Sequence, residues 1–389
     1  MQFNFELVQK AKLASNTISC MGFKRQASKL VNLLPEWSWN YLKRRPITSY
    51  NPKRSEEVRK EHEAPIYTLF GYNSSTIEER QLTEAEACSS NVAEGKVIWI
   101  NIDGLRKSDI EKIAACYDIH NLVVEDILST GQRAKMDEID DVLFCLLPML
   151  YYNGGTGEIE QEQVSIILGK GYVLSFQEDP YRDVFNPLRD RLRAGQYKLR
   201  SRSADYLCYS LIDIIVDNYF EVIERLNERI ERLEDGLLLQ KENAALAKIS
   251  ILRREIMVIR RSIMPVRELV NGFLRSESEL LEERHEKYYK DVLDHIVQAN
   301  DFVENHRDML MNLQDLSMSQ INLKMNQVMK LFTMVATLLA PATVIGGIFG
   351  MNFDVIPLSH HNAGFYFAVA IMLIVPLFML IWFKRKGWF

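Results

Sequence analysis

Three textures of apolar and polar residues follow one another along the chain. In the first, short apolar or alternating runs are separated by turn residues. Residues 65–73 and 97–102 (VIWINI) read as strands. Lys107–Cys116 and Asn121–Leu128 read as short helices, and residues 142–152 (VLFCLLPMLYY) as a further strand. Pro148 inside that run predicts an edge position or a bulge, because proline cannot donate to a ladder. Asn153-Gly154-Gly155 then turns the chain, and Gly169-Lys170-Gly171 separates 163–168 from Tyr172–Gln177 as a hairpin. Strands mixed with helices predict an α/β domain over residues 64–179.

The second texture is helical. Ala204–Leu238 carries apolar residues at three- and four-residue spacing with acids between them. Ala245–Arg275 is a second long helix, and Pro265 is expected to kink it. Residues 180–279 are thus read as long helices of the soluble body. A third helix starts near Glu282 and meets no Gly or Pro until Pro341. Continued through 280–350 it is roughly 70 residues, about 100 Å long. A helix of that length needs a bundle or copies of itself to pack against.

The third texture is unbroken apolarity. Residues 331–350 and 364–383 are two stretches of twenty without a charge, each matching the ~20 residues that cross a bilayer core. Between Lys330 and Lys384 the sole Asp, Glu, Lys or Arg is Asp354. Lys330 precedes the first span, and Lys384, Arg385 and Lys386 open the tail 384–389. The loop 351–363 has no Lys or Arg, so the positive-inside bias predicts a multi-pass protein with both termini cytoplasmic and the loop outside. Trp382 and Trp388 suit an interfacial aromatic belt. The second span is bulky throughout. The first bears a stripe of small or weakly polar residues, Thr333, Ala336, Thr337, Ala340, Thr343 and Gly347. Such a stripe serves a tight helix–helix contact or lines a narrow pore. Two spans cannot enclose a pore, so the second option demands a ring of subunits.

Composition changes this picture in two places. Net charge is -5, yet residues 1–60 carry twelve Lys and Arg against four Glu, leaving an acidic body that attracts cations. The basic extension 1–63 reads as partly disordered and solvated, with a helix around 5–33, contact with anionic headgroups and a transit peptide as other readings. It lacks the apolar core of a signal peptide. Five cysteines, Cys20, Cys88, Cys116, Cys145 and Cys208, are scattered singly with no CxxC. That pattern argues against a disulfide framework or zinc ribbon and for a reducing, cytosolic setting.

Gly350-Met351-Asn352 stands at the end of the first span, within 345–353 (IGGIFGMNF), and 383–389 (FKRKGWF) closes the chain. These residues resemble the CorA magnesium/cobalt channel family, over about residues 65–389. The resemblance implies a homopentameric funnel: a cytosolic α/β domain, a long helical stalk, and two C-terminal transmembrane helices in the cell (inner) membrane. It implies a selectivity filter at Gly350, Met351 and Asn352, with Gly350 letting the helix end. It places Asn326, Met329, Phe332, Ala336, Ala340, Thr343 and Gly347 along the pore. Met329 and Phe332 would form a hydrophobic gate, although Phe332 packing between helices is an equal alternative. Glu125, Asp126, Asp213 and Asp291 would bind regulatory Mg²⁺ between subunits. Mg²⁺ is then both cargo and regulator, with Co²⁺ and Ni²⁺ as further cargo. The partners are four further copies, the bilayer and divalent cations, not nucleic acid.

The physics agrees with that resemblance. Mg²⁺ prefers six oxygens and sheds its water reluctantly. A ring of amide and carbonyl oxygens holds the hydrated ion without stripping it. A divalent ion gains about 4.6 kcal/mol per 100 mV of membrane potential. No GxxxxGK[ST] loop occurs, and nothing in the sequence groups catalytic residues, so an enzyme is not expected. Departures from the family pattern are Ala340 in place of a bulky Met, the bulkier Phe332, Leu358 where an acid often follows Pro357, and the pair His360 and His361. The histidines either bind a soft metal or stay unliganded. The competing readings are a zinc transporter of the related branch, proton-coupled or not, which Met351 disfavours, and a membrane-anchored scaffold.

Overall fold

The structure, a computed structural model, describes residues 65–89, 95–129, 131–155, 157–180, 182–195, 197–239, 244–351 and 363–388. The extension 1–63 with Cys20, and the loop residues Asn352, Asp354, Pro357, Leu358, His360 and His361, lie outside them.

The strands are β1 (Ile66–Tyr72), β2 (Ile77–Leu82), β3 (Val97–Asp103), β4 (Lys135–Ile139), β5 (Val142–Asn153), β6 (Glu158–Gly169) and β7 (Tyr172–Gln177). They form one sheet in the order β2-β1-β3-β7-β6-β5-β4, with β3 and β7 parallel and every other pair antiparallel. Side chains alternate across it. Leu143, Cys145 and Leu147 of β5 enter one core, while Val142, Phe144 and Leu146 enter the other. Burial on both faces explains why β5 reads as a continuous apolar run rather than an alternating one. The outer strands β2 (IEERQL) and β4 (KMDEI) are polar. Charged edges discourage pairing with other chains, and they also hid both strands from hydrophobic patterning.

Pro148 sits beyond the end of β4, which pairs only as far as Leu146. Its missing N–H therefore breaks no ladder bond. Its carbonyl accepts from the Tyr219 hydroxyl, and the Leu150 carbonyl accepts from the Asn218 amide.

Short helices α1 (Glu84–Ser89), α2 (Lys107–Cys116) and α3 (Asn121–Leu128) cover one face, where Ile110, Ile113, Val123, Val124 and Ile127 are buried. Cys88 of α1 and Cys116 of α2 form a disulfide, 28 residues apart in sequence. This corrects the sequence-based expectation of unpaired cysteines: packing of α1 on α2 brings together two thiols that no motif links. Cys145 and Cys208 are free and buried.

The other face carries α4 (Asn186–Arg193), α5 (Tyr197–Arg200), α6 (Ala204–Leu238), α7 (Ala245–Arg275) and the first part of α8 (Glu286–Phe349). The second long helix runs through Pro265 as a single element. A single 3-10 turn, Glu283–His285, leads into α8. Turn and helix together cover 67 residues, about 100 Å at 1.5 Å per residue. Tyr289, Val292, Ile296, Ala299, Val303, Leu310, Leu313 and Ser317 are buried along α8 in alternating three- and four-residue steps. That is a coiled-coil seam against α6 and α7. His306 occupies the remaining slot and is held by Asn227 Oδ1 of α6 at 2.9 Å. Burial lowers the His306 pKa, so the ring is neutral at pH 7. Beyond Ser317 the helix leaves the body and packs against α9 (Gly364–Arg385).

Candidate ion pathway and acidic sites

Helices α8 and α9 both contain a window long and apolar enough to cross a membrane. Within one protomer the first span has two unlike sides. Met334 is buried and Leu338, Pro341, Ala342 and Ile345 are partly covered. A Cβ on Gly346 would stand 3.7 Å from Met372 Cε of α9. The opposite side carries Asn326, Met329, Phe332, Ala336, Ala340, Thr343 and Gly347, all exposed. The seven sequence-selected positions thus share one face, and that face is turned away from α9. Phe332 is 64% exposed, so it does not pack inside the protomer.

The stripe of small residues follows the same division. Thr333, Ala336, Ala340, Thr343 and Gly347 are exposed, and Thr337 lies at the border. It does not mediate contact with α9. The hydroxyls of Thr333, Thr337 and Thr343 donate to the carbonyls of Met329, Thr333 and Leu339, one turn back, at 2.8, 2.7 and 3.0 Å. Their donors are satisfied within the helix, and an oxygen lone pair remains on the exposed side.

Gly350 ends the helix at φ -88°, with its N–H bonded to Gly346 O at 3.0 Å. That conformation is open to any residue. The sequence-based reason for a glycine here, release of the helix end, is therefore not the structural one. Its Cβ would approach the Gly346 carbonyl to 3.1 Å, a close fit that favours the smallest residue.

Of the four acidic candidates, two lie over each face of the sheet. Glu125 and Asp126 are on α3. Glu125 is exposed, and Asp126 accepts from Lys135 Nζ at 2.6 Å. Lys135 also holds Asp137 at 2.9 Å. Asp213 on α6 and Asp291 on α8 lie on the opposite layer. Burial, then the neighbouring Asp217 charge, pushes the Asp213 carboxyl up to about 6, against a lowering hydrogen bond from the Tyr209 hydroxyl at 3.2 Å. One protomer therefore does not bring all four together, because the sheet separates the pairs.

Two features here were not singled out in the sequence. Asp217 and His295 follow Asp213 and Asp291 by one helical turn, and Asp213, Asp217 and His295 lie together; the signal was the repeated i,i+4 spacing on two helices. The second is a buried hub where α6 and α8 begin. His285 Nδ1 lies 2.7 Å from Asp205 Oδ2, and both side chains are almost fully buried. Asp205 also accepts from Ser203 Oγ at 2.5 Å and Glu282 N at 2.9 Å, and its carbonyl accepts from the Tyr289 hydroxyl at 3.1 Å.

The profile of a family described as CorA-like Mg²⁺ transporter protein matches residues 94–385. A cobalt/magnesium transport protein CorA from Thermotoga maritima is 36% identical over 321 residues, 82% of this chain and 91% of that protein. The CorA magnesium transporter structure from Methanocaldococcus jannaschii superposes with a TM-score of 0.68 at 23% identity, covering 82% of this chain and 98% of that one. The ZntB cytoplasmic domain from Vibrio parahaemolyticus gives a TM-score of 0.53 at 15% identity, over 66% of this chain and 99% of that domain. At such identities the two structures speak for the fold alone.

Proposed function

The chain belongs to the CorA-like Mg²⁺ transporter family, and from that premise we propose that it is a passive channel for Mg²⁺, with Co²⁺ and Ni²⁺ as further cargo. On this reading residues 64–179 and 180–279 form the cytosolic body, 280–350 the stalk and first span, 351–363 the outer loop, and 364–383 the second span. The tail 384–389 returns to the cytosol. Five copies close a ring in the cell membrane around the first spans.

The observation that carries the reading is the face of α8 that bears Asn326, Met329, Phe332, Ala336, Ala340, Thr343 and Gly347. It is exposed in the protomer, opens on the amide of Asn326, is bulky and apolar at Met329 and Phe332, and is small towards its end. An anchoring helix buries such a face in lipid without need of the small residues. A pore uses them for clearance, and Met329 and Phe332 supply a constriction that blocks an ion by dewetting. Gly350, Met351 and Asn352 form the filter, where an amide ring binds the ion through its water shell. The membrane potential drives influx.

Control comes from the acidic pairs. Glu125 and Asp126 of one subunit face Asp213 and Asp291 of the next, which suits their placement over opposite sheet faces. Internal Mg²⁺ bridges them, removes their repulsion and holds the closed ring. The imidazoles of His360 and His361 take no part in this reading. The alternative is a zinc transporter of the related branch, which Met351 disfavours; the ZntB cytoplasmic domain shares the fold of the soluble part, and that likeness does not choose between the cargoes.

Growth of a cell lacking Mg²⁺ uptake tests the proposal. The chain is expected to restore growth at low Mg²⁺, and Asn352→Ala to restore it poorly or not at all. Equal rescue by both removes Asn352 from the pore. No rescue by either, with Zn²⁺ flux into vesicles, selects the alternative.

A further inference from the structure

We propose that the Cys88–Cys116 bond is a reversible thiol switch: small thiols and disulfides break and form it, and its state sets how firmly α1 is held on α2. The soluble body contains two cysteine pairs of opposite character. Cys145 and Cys208 are neighbours in the core, buried and unbonded. Burial, then the hydrogen-bonded Cys208 neighbour, pushes the Cys145 thiol well above its ordinary range, which makes it inert. Cys116 is exposed at the end of α2, Cys88 is half-buried on α1, and these two are joined. Small thiols therefore reach the bonded pair and not the free one. Exposed disulfides are the labile ones, and in a reducing compartment such a bond serves sensing rather than permanent stapling.

The bond is also the strongest tie on α1. That helix has six residues, too few to hold its shape alone. Thr83 and Glu86 cap it reciprocally, with Thr83 N donating to Glu86 Oε2 at 2.8 Å. Its other links to α2 and the residue after it are slight. The Ala87 carbonyl accepts from the Tyr117 hydroxyl at 3.0 Å, and Glu84 pairs with Lys112 at 2.7 Å. Lys112 is 61% exposed, so that ion pair contributes little. The disulfide joins positions 28 apart and removes freedom that the intervening chain would otherwise have. The reduced state is accommodated as well. Cys88 Sγ lies 3.9 Å from Lys112 O, so a free thiol has an acceptor ready.

The exchange balances with a small thiol such as glutathione. Its thiolate attacks Cys116 Sγ, the more exposed sulfur, and forms a mixed disulfide there. The Cys88–Cys116 bond breaks, and Cys88 leaves as a thiolate that takes up the proton of the attacking thiol. A second small thiol attacks the small-molecule sulfur of the mixed disulfide. Cys116 leaves with that proton, and the small-molecule disulfide departs. Two electrons and two protons thus pass from two small thiols to the protein, and the reverse sequence restores the bond.

The switch lies close to the acidic pair of α3. Tyr117, which holds Ala87, follows Cys116 directly, and His120 caps α3 by accepting from Leu122 N at 3.1 Å. Release of α1 frees one side of this junction, nine residues before Glu125. The sensing role rests on the cytosolic placement proposed above, and any effect on Mg²⁺ control rests on the transport reading. The exchange chemistry needs neither.

The test uses the full chain in detergent, equilibrated with reduced glutathione and glutathione disulfide over a stepped ratio, quenched in acid and alkylated. Peptide mass spectrometry reads each cysteine. We expect Cys88 and Cys116 to pass together from bonded to alkylated as the reduced fraction rises, with Cys145 and Cys208 unbonded throughout. A bond that survives a large excess of reduced glutathione in the folded protein overturns the switch. So does a pair that stays open in excess glutathione disulfide. Hydrogen exchange of residues 84–89 is the second readout. Reduction should raise it about tenfold or more, and Cys88→Ser should show the raised rate in either buffer. Equal exchange in the oxidised and reduced protein also overturns the proposal, because the bond would then hold nothing. Thiol exchange and release of α1 as expected, together with failure of the growth assay for the wild type, would uphold the switch while rejecting the transport reading.

Discussion

Lys330 and Trp388 meet at the charged end of the two spans. Lys330 Nζ lies 5.6 Å from the centroid of the indole ring and donates to Gly387 O at 3.1 Å. The turn that makes this possible is at Gly387, whose φ is +69°, a left-handed conformation that glycine adopts without strain. Trp388 then folds back to stack on Phe383, with 5.1 Å between ring centroids. The residues that follow α9 are thereby fastened to the start of the first span.

Gly387→Ala should loosen this clasp. A left-handed alanine costs roughly 1–2 kcal/mol, which corresponds to about a five- to thirtyfold rise in the open fraction. Trypsin cleavage after Lys384, Arg385 or Lys386 of the protein in detergent should accelerate accordingly, and Trp388→Ala should act in the same direction. Unchanged cleavage in both variants would show that the clasp does not hold the tail.

Asp291→Arg should leave uptake insensitive to internal Mg²⁺. The substitution places a cation where the bridging ion is expected, beside Asp217 and Asp213. Preloading vesicles with Mg²⁺ should inhibit wild-type influx and spare the variant. Inhibition of both alike would remove Asp291 from the control mechanism.

Asp205→Ala should destabilise the start of the stalk strongly. It leaves His285, the Glu282 N–H and the Ser203 hydroxyl without the acceptor they share. Breaking a buried pair of this kind costs about 3–5 kcal/mol. Urea unfolding followed by tyrosine fluorescence should shift to a lower midpoint, with Asp205→Asn intermediate. A midpoint within error of wild type would mean the hub contributes nothing to stability.

Glu162 makes the stability of the sheet depend on pH. Burial pushes its carboxyl up to about 7, despite hydrogen bonds from Asp179 N at 2.8 Å, Tyr151 OH at 3.0 Å and Glu178 N. A carboxyl raised above its unfolded value stabilises the protein fully below that unfolded value and loses the contribution as pH rises through about 7. Glu162→Gln should therefore flatten the melting-temperature profile between pH 5 and 8, with the variant gaining relative to wild type at the alkaline end. His306 acts with the opposite sign. Its lowered pKa contributes stability above the unfolded value near 6.5, lost as pH falls below it. Identical profiles for the Glu162→Gln variant and wild type would exclude Glu162 as the titrating group.

Several helices were legible because each carries its own periodicity, whereas the short α1 was not singled out. Lys107–Cys116, Asn121–Leu128, Ala204–Leu238 and Ala245–Arg275 appear with the bounds that spacing predicts. The two polar edge strands were not legible, since a strand exposed on its outer side has no apolar signal to display. The Cys88–Cys116 bond was hidden for another reason: it depends on how α1 settles on α2.

Residue order by itself determined the long stalk, the two spans and the face on which Asn326, Met329, Phe332, Ala336, Ala340, Thr343 and Gly347 fall. Helical spacing is local, so a run of side chains specifies its own stripe. Only the tertiary structure decided that this stripe turns away from α9, that the acidic pairs lie on opposite faces of the sheet, and that His295 stands over Asp213 and Asp217. Those relations join residues well separated in sequence: Gly346 and Met372 are 26 positions apart, and Asp213 and His295 are 82. They arise from which apolar faces are buried together, a choice the whole core makes and no single segment encodes.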